Sequence, residues 1–423
     1  MTKARQAQDR QTYNVHLEVE ELGIQEQVGV LHRNLRREDL PASFQYVPSW
    51  EQHPGRFMLD PRLDIHSGEQ FPDHSTPGFG IFLDSAPDRW GRMLMERREA
   101  AEADREDRPM KELREVDFLL GVHDVTRMGA LRFRRPDGGH FLDDCVKAAP
   151  PVTSLGELAE ISRKLEEPGA EKLPEYEKWL SMLIAPGSSL GGARPKANFT
   201  DVAGKLWFAK FPSREDRYDV GGWEYLVHTM ARDAGIWVPA SRLEKFGDGY
   251  RTFCVERFDR TGQSRRMFVS AMTLLERQDG DGGASYIDLV ELLSDQGAQN
   301  HINSDLEQLY RRVVFNVLVG NRDDHLRNHG CLRTTTGWRL APAFDMNPNP
   351  HKHEHALTLD GNVAAPSLKA VRNTAEDFYR LARAQADALE KEVTDVVKTW
   401  QDRANELGMS RMEIQQMSRV FLV

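Results

Sequence analysis

The chain has 423 residues, 39% hydrophobic and 29% charged, so a prior of about 150 residues per domain gives two or three compact units. Its 66 acidic against 56 basic side chains leave a formal charge of −10. That balance argues against the whole molecule being a non-specific binder of nucleic acid or anionic membrane, since both reward a positive field, and it leaves room for a local basic patch. A mean hydropathy of −0.59 and the lack of any apolar run near about 20 residues exclude a membrane-spanning helix.

Residues 1–10 carry basic side chains but no apolar stretch, so no secretory signal is expected there. Farther in, Val15, Leu17 and Val19 alternate with His16, Glu18 and Glu20, the period of a half-buried strand. Behind Pro77-Gly78-Phe79-Gly80 comes a helical run with Trp90, Met93 and Leu94. Residues 97–115 are so rich in Arg and Glu that a solvated helix face or an exposed loop is expected. The prolines at 150 and 151 mark a domain boundary, because they favour an extended linker.

From 152 to 260 the pattern is a small helix, a glycine-rich loop and several strands. Runs at 196–200 and 204–211 read as a hairpin around Asp201-Val202-Ala203-Gly204. A helix over 222–234 puts Trp223, Leu226, Val227, Met230 and Ala234 on one stripe, with Gly235 to stop it. Strands at 241–246 and 250–257 flank Gly247-Asp248-Gly249, a tight-turn signal. Beyond 263 the chain is mainly helical. Leu306, Leu309, Tyr310, Val313, Val314, Val317 and Leu318 predict a deeply buried helix ending at Gly320-Asn321. Runs at 331–334 and 338–342 read as a hairpin, and helical periodicity continues over 374–420. Cys145, Cys254 and Cys331 lie far apart with no CxxC spacing, which reads as reduced thiols in a cytoplasmic protein.

The chemistry concentrates after the buried helix. Gly320-Asn321-Arg322-Asp323-Asp324-His325-Leu326-Arg327-Asn328 contains the D-x-x-x-x-N spacing of the protein-kinase catalytic loop. There the Asp takes the proton of the attacking hydroxyl and the Asn holds magnesium. The hairpin that follows delivers Ala343-Phe344-Asp345-Met346, where kinases keep a metal-binding carboxylate. Upstream, Lys210 is the one cation of the apolar strand Trp207-Phe208-Ala209-Lys210-Phe211 and needs a partner; Glu224 is either that partner or an exposed Glu near a helix N-terminus. The loop Gly187-Ser188-Ser189-Leu190-Gly191-Gly192-Ala193-Arg194-Pro195-Lys196 is neither a Walker A nor a kinase G-x-G-x-x-G. Its glycines can still bring backbone N–H groups to a phosphate, and a flexible linker is the alternative. Glu256-Arg257-Phe258 falls where a kinase hinge meets adenine.

In this order the motifs resemble the HipA family of toxins, the serine/threonine kinases of type II toxin–antitoxin pairs. The residues carrying the resemblance are Ser189-Leu-Gly-Gly-Ala-Arg-Pro-Lys196, Phe208-Ala-Lys-Phe-Pro212, Val255-Glu-Arg-Phe-Asp-Arg260, the 320–328 loop and Ala343-Phe-Asp-Met346. Ser43-Phe-Gln-Tyr46, Ala86-Pro-Asp-Arg-Trp-Gly91 and Asp117-Phe-Leu-Leu-Gly121 resemble its N-terminal subdomain. The resemblance implies an α+β, kinase-like two-lobed fold: a mixed N-terminal subdomain over 1–145, a β-rich nucleotide-binding lobe over 152–260 and an all-helical catalytic lobe over 263–423. It implies ATP and Mg2+ as cofactors, Asp323 as the catalytic residue, and Asn328 and Asp345 as magnesium ligands. Gly191, Gly192, Ala193, Arg194, Pro195 and Lys196 would cover the phosphates, with Lys210 and His325 beside them. Glu256, Arg257 and Phe258 would meet adenine, and Phe344 lies in the same site. Ser189 falls at a regulatory autophosphorylation position. Asp324 and Arg327 depart from the pattern, and Asp324 would place a negative charge near phosphate if it faced the nucleotide. The implied partners are a protein with an acceptor Ser or Thr, an aminoacyl-tRNA synthetase being one candidate, and a helix-turn-helix antitoxin through which DNA is contacted indirectly. No membrane partner is implied.

Other readings make different demands. An ATP-binding pseudokinase would bind nucleotide without transfer, and a transcriptional co-regulator would act through a DNA-binding partner. His351, His353 and His355 could ligate zinc on a strand, but behind Asn347-Pro348-Asn349-Pro350 an exposed loop is expected. Asp279-Gly280-Asp281-Gly282-Gly283 lacks the Gly and Glu of a calcium loop and reads as a loop near the acceptor substrate.

Overall fold

The computed structural model describes residues 9–37, 39–142, 149–184, 192 and 194–423. Cys145, Ser189, Gly191 and Ala193 lie outside the described residues. The chain divides into two compact units, Met1–Phe208 with Asp259–Val269, and Ala209–Phe258 with Ser270–Val423. Among the described residues no helix is long and apolar enough to cross a membrane.

In the first unit the alternation read at Val15, Leu17 and Val19 is the buried face of β1 (Arg10–Val19). It lies inside an antiparallel sheet with β2 (Ile24–Asn34), β3 (Ser43–Tyr46) and β4 (Leu131–Arg134), in the order β3-β2-β1-β4. Tyr13 faces Leu31, and the register shifts between Val15 and His16. Gly29 lets β3 come alongside, because a Cβ there would fall 2.2 Å from the Phe44 ring. Phe82 packs on Phe44 and Phe133 at 5.5 and 6.2 Å between ring centroids. Helix α1 (Arg89–Arg105) starts at Asp88, whose carboxylate accepts from Gly91 N at 2.9 Å. The Arg- and Glu-rich stretch is thus helix up to Arg105 and mostly loop beyond. β5 (Lys196–Thr200) turns through Asp201, which accepts from the N–H groups of Ala203 and Lys205, into β6 (Leu206–Lys210), whose last two residues belong to the second unit.

In the second unit α2 (Val220–Asp233) begins two residues earlier than its apolar stripe implies, because Asp219 caps it by accepting from Gly222 N at 3.0 Å. Gly221 must be glycine, since a Cβ would stand 2.3 Å from Arg251 O. β7 (Ser241–Glu244) and β8 (Thr252–Glu256) pair with Leu243 opposite Phe253. Their connection is longer than the Gly247-Asp248-Gly249 signal implies. Asp219 accepts from Arg251 N at 3.1 Å and pairs with its guanidinium, which draws Arg251 out of the ladder.

Helix α3 (Tyr286–Gln296) and α4 (Ile302–Val319) follow. From Leu306 to Val319 nearly every side chain of α4 is buried, charged ones included, so it forms the centre of this unit. It stops at Gly320 in the left-handed region (φ 66), where a Cβ would sit 2.3 Å from Val420 Cγ1. Gly320→Ala is therefore expected to cost about 1–3 kcal/mol through backbone strain and overpacking, read as a lowered denaturant midpoint. β9 (Gly330–Thr334) and β10 (Gly337–Leu340) form the expected hairpin, with Leu332 opposite Arg339. Helices Arg383–Val397, Trp400–Glu406 and Arg411–Met417 close the unit. Phe421 stacks on Trp400 at 4.4 Å, and Trp400 lies 6.1 Å from Trp223.

Candidate active site

Lys210 ends the apolar strand β6 with its side chain only 11% exposed. Burial of that kind disfavours an ammonium and requires partners. It has two: Nζ donates to Glu224 Oε1 and to Asp345 Oδ1, each at 2.5 Å. Burial alone would lower the Lys210 pKa, but the charges of Asp345 and Glu224 outweigh it and hold the pKa above the ordinary lysine value. Glu224, nearly fully buried, is thus the partner of Lys210 and not an exposed helix-end residue. Asp345 adopts φ 56, a left-handed conformation that a short polar side chain tolerates, and this turns the chain sharply after the hairpin.

The second cluster grows from the C-terminus of α4. Asp323 is exposed, and its Oδ1 accepts from Lys352 Nζ. Its main-chain oxygen accepts from Asn328 Nδ2 at 3.2 Å and His325 N at 3.1 Å, and Asn328 N donates to His325 O at 2.8 Å. With the Asn328 amide nitrogen bonded to the Asp323 main chain, its amide oxygen is the remaining end. An amide oxygen and the Asp345 carboxylate are hard oxygen donors of the kind magnesium takes, so the residues present fit that ion.

Asp324 points the other way. It is 2% exposed and accepts from Tyr286 Oη at 2.6 Å, Asn316 Nδ2 at 2.8 Å and His329 Nε2 at 2.7 Å. Burial pushes its pKa up, but the His329 charge and these hydrogen bonds outweigh that and hold it below the ordinary carboxylate value. The negative charge foreseen near phosphate is turned into the core, where it ties the loop to α3 and α4. Arg327, the other departure, makes a two-pronged pair with Asp279 at 2.8 and 2.9 Å and so joins the 279–283 loop to the catalytic-type loop.

At the hinge-like segment, Glu256 N donates to Ala240 O at 2.8 Å, Arg257 is buried, and Phe258 stacks on Phe344 at 5.3 Å. Ala343 N donates to Trp237 O at 2.7 Å, which fixes the strand leading to Asp345. His228, one turn after Glu224 on α2, is bonded through Nε2 to Pro239 O at 2.8 Å. Burial pushes its pKa down to about 4, with the Lys210 charge acting the same way against the Pro239 bond. The folded state therefore binds fewer protons than the unfolded chain between about pH 6.5 and 4. Stability present above pH 6.5 is expected to be lost as the pH falls through that window, by up to about 3 kcal/mol. Melting curves from pH 7 to 4 should show this slope, and His228→Gln should flatten it.

The remaining expected site residues belong to the first unit. Lys196 is 1% exposed, and its Nζ donates to Asp88 Oδ2 at 2.6 Å and to Gly192 O at 2.5 Å, which pins the loop carrying Arg194 and Pro195. Burial pushes Asp88 up to about 6 against the Lys196 charge and the Gly91 N–H. Ser189, Gly191 and Ala193 of the same loop lie outside the described residues. His351 and His353 are exposed on a loop, as expected behind the prolines, but His355 is 4% exposed. Sequence reasoning missed Lys352, Tyr286, Asn316 and His329. Lys352 sat unremarked inside the histidine run, and the others carry no spacing signal.

Residues 188–406 match the family model described as the HipA-like C-terminal domain. A Haemophilus influenzae protein provisionally named a kinase is 26% identical over 204 residues, 43% of this chain and 58% of that protein. A Shewanella oneidensis protein named serine/threonine-protein kinase toxin HipA is 27% identical over 190 residues, 38% of this chain and 43% of that protein. The chain spans about half the length of the curated relatives it matches. A chain from the Shewanella oneidensis MR-1 complex of HipA, HipB and operator DNA has a TM-score of 0.68 at 18% identity, over 96% of this chain and 94% of that one. The two share a fold, and the mixed α+β, kinase-like class that the resemblance implies holds; the lobe expected to be all-helical over 263–423 is not, because it carries a three-stranded sheet of Phe268–Ser270, β9 and β10.

Proposed function

The chain belongs to the HipA-like C-terminal domain family, and on that premise we propose that it is an ATP- and magnesium-dependent serine/threonine protein kinase, the toxin of a type II toxin–antitoxin pair. The observation that carries this is the pairing of Lys210 with both Glu224 and Asp345, while Asp323 stands exposed on the D-x-x-x-x-N loop. Lys210 brings a cation to the phosphates and is itself held by Glu224. Asn328 and Asp345 hold the metal, which when bound supplies positive charge against the phosphate oxygens. Asp323 accepts the proton of a Ser or Thr hydroxyl as the new O–P bond forms. The bond from the γ-phosphorus to the bridging oxygen breaks, and its electron pair leaves with ADP. Phe258 and Phe344 supply an apolar stack where the hinge would meet adenine.

In this reading residues 1–145 are an N-terminal subdomain, 152–260 the nucleotide-binding lobe and 263–423 the catalytic lobe. The substrate is a cellular protein, an aminoacyl-tRNA synthetase being the candidate the family suggests, and Ser189 is a self-phosphorylation site. A helix-turn-helix antitoxin is the partner, and any DNA contact runs through it, as suits a chain of net charge −10. The test is incubation of the purified full chain with ATP and Mg2+, followed by ADP assay and phosphosite mapping. Phosphate on Ser or Thr supports the reading. Nucleotide binding without any ADP formation would replace it with a binding module.

A further inference from the structure

We propose that Lys352 is a positioning residue for phosphoryl transfer: its ammonium holds one oxygen of Asp323 so that the other faces the acceptor hydroxyl. This rests on the kinase reading of the site. Lys352 lies seven positions beyond Asp345, in a segment laid along the start of the catalytic-type loop by main-chain bonds. Asn349 N donates to Gly320 O at 3.0 Å, and Ala356 N donates to Arg322 O at 3.1 Å. Asn349 Oδ1 accepts from His351 N at 2.9 Å and Lys352 N at 3.1 Å, and Lys352 O accepts from Arg322 Nη1 at 2.7 Å. The backbone of Lys352 is therefore held on both sides, and its side chain reaches Asp323 Oδ1.

Stability does not account for this arrangement. The two side chains are 47% and 54% exposed, and such pairs contribute about 0–1 kcal/mol. A chemical role accounts for it better. Among the described residues Asp323 Oδ2 has no hydrogen-bond partner, so fixing Oδ1 leaves one oxygen to take the proton. The carboxylate and the transferred phosphoryl group repel each other, and a cation on Oδ1 screens that repulsion. The Lys352 ammonium acts through Asp323 and not on ATP itself, so its loss should spare the KM for ATP.

The experiment compares wild type, Lys352→Met, Lys352→Arg and Asp323→Asn by ADP formation from ATP and Mg2+, with water and the chain's own hydroxyls as acceptors. Lys352→Met is expected to lower kcat by about 10²-fold. Its KM for ATP and its melting temperature should stay at wild-type values, and Lys352→Arg should recover part of kcat. An unchanged or raised kcat in Lys352→Met beside an inactive Asp323→Asn would overturn the role of Lys352 and leave the kinase reading standing. A loss of kcat matched by a loss of folding, or by a raised KM alone, would also overturn it. Full activity in Asp323→Asn, or no ADP from wild type, would instead overturn the kinase reading and this inference with it.

Discussion

Asp323→Asn is expected to abolish phosphoryl transfer, with a loss of about 10²- to 10⁴-fold in kcat, the range that a positioned general base contributes. The amide keeps the shape of the side chain but cannot take the acceptor proton. Folding should be untouched, because Asp323 is exposed and, among the described residues, its side chain bonds only to Lys352. ADP formation and phosphosite mapping on the two proteins side by side measure the effect, with thermal melts as the control. Transfer at the wild-type rate in the variant would remove Asp323 from the base role. Persistent nucleotide binding in the variant would separate the loss of chemistry from a loss of substrate.

The neighbouring carboxylate should behave in the opposite way. Asp324→Ala is expected to cost about 3–5 kcal/mol of stability, as breaking a buried charged network does. It leaves the Tyr286 hydroxyl, the Asn316 amide and the His329 ring without their shared acceptor in a site 2% exposed. Asp324→Asn should cost less, because it keeps one oxygen acceptor. Denaturant unfolding of the full chain reads both, and a loss below about 1 kcal/mol would show that the network relaxes or hydrates. Activity falls in Asp324→Ala only insofar as the loop loses its anchor, so ATP affinity should decline along with kcat, unlike in Asp323→Asn.

These adjacent aspartates mark the limit of what a pattern can say. D-x-x-x-x-N spacing points to Asp323, whereas the direction Asp324 takes is a question that no local spacing answers. Tyr286, 38 positions upstream, answered it by offering a hydroxyl inside the core. Lys196 shows the same limit. In sequence it is a cation at the end of a glycine-rich loop, and in the fold it is buried on Asp88, 108 positions away. The connection around Gly247 is longer than its turn signal implies, because the pull of Asp219 on Arg251 has no local signal.

By itself the sequence determined the elements whose signal is periodic or terminal: the alternating β1, the buried helix stopped by Gly320, the hairpin that delivers Asp345, and the order of chemical side chains along the chain. Burial follows from spacing, since a period of 2.0 or 3.6 decides which side chains share a face. Tertiary structure decided which polar groups meet: Lys210 with Asp345 across 135 positions, Lys352 with Asp323 across 29, and the inward turn of Asp324. The physical reason is that a buried or functional charge is oriented by its partners, and a partner brought close by folding leaves no trace in local spacing.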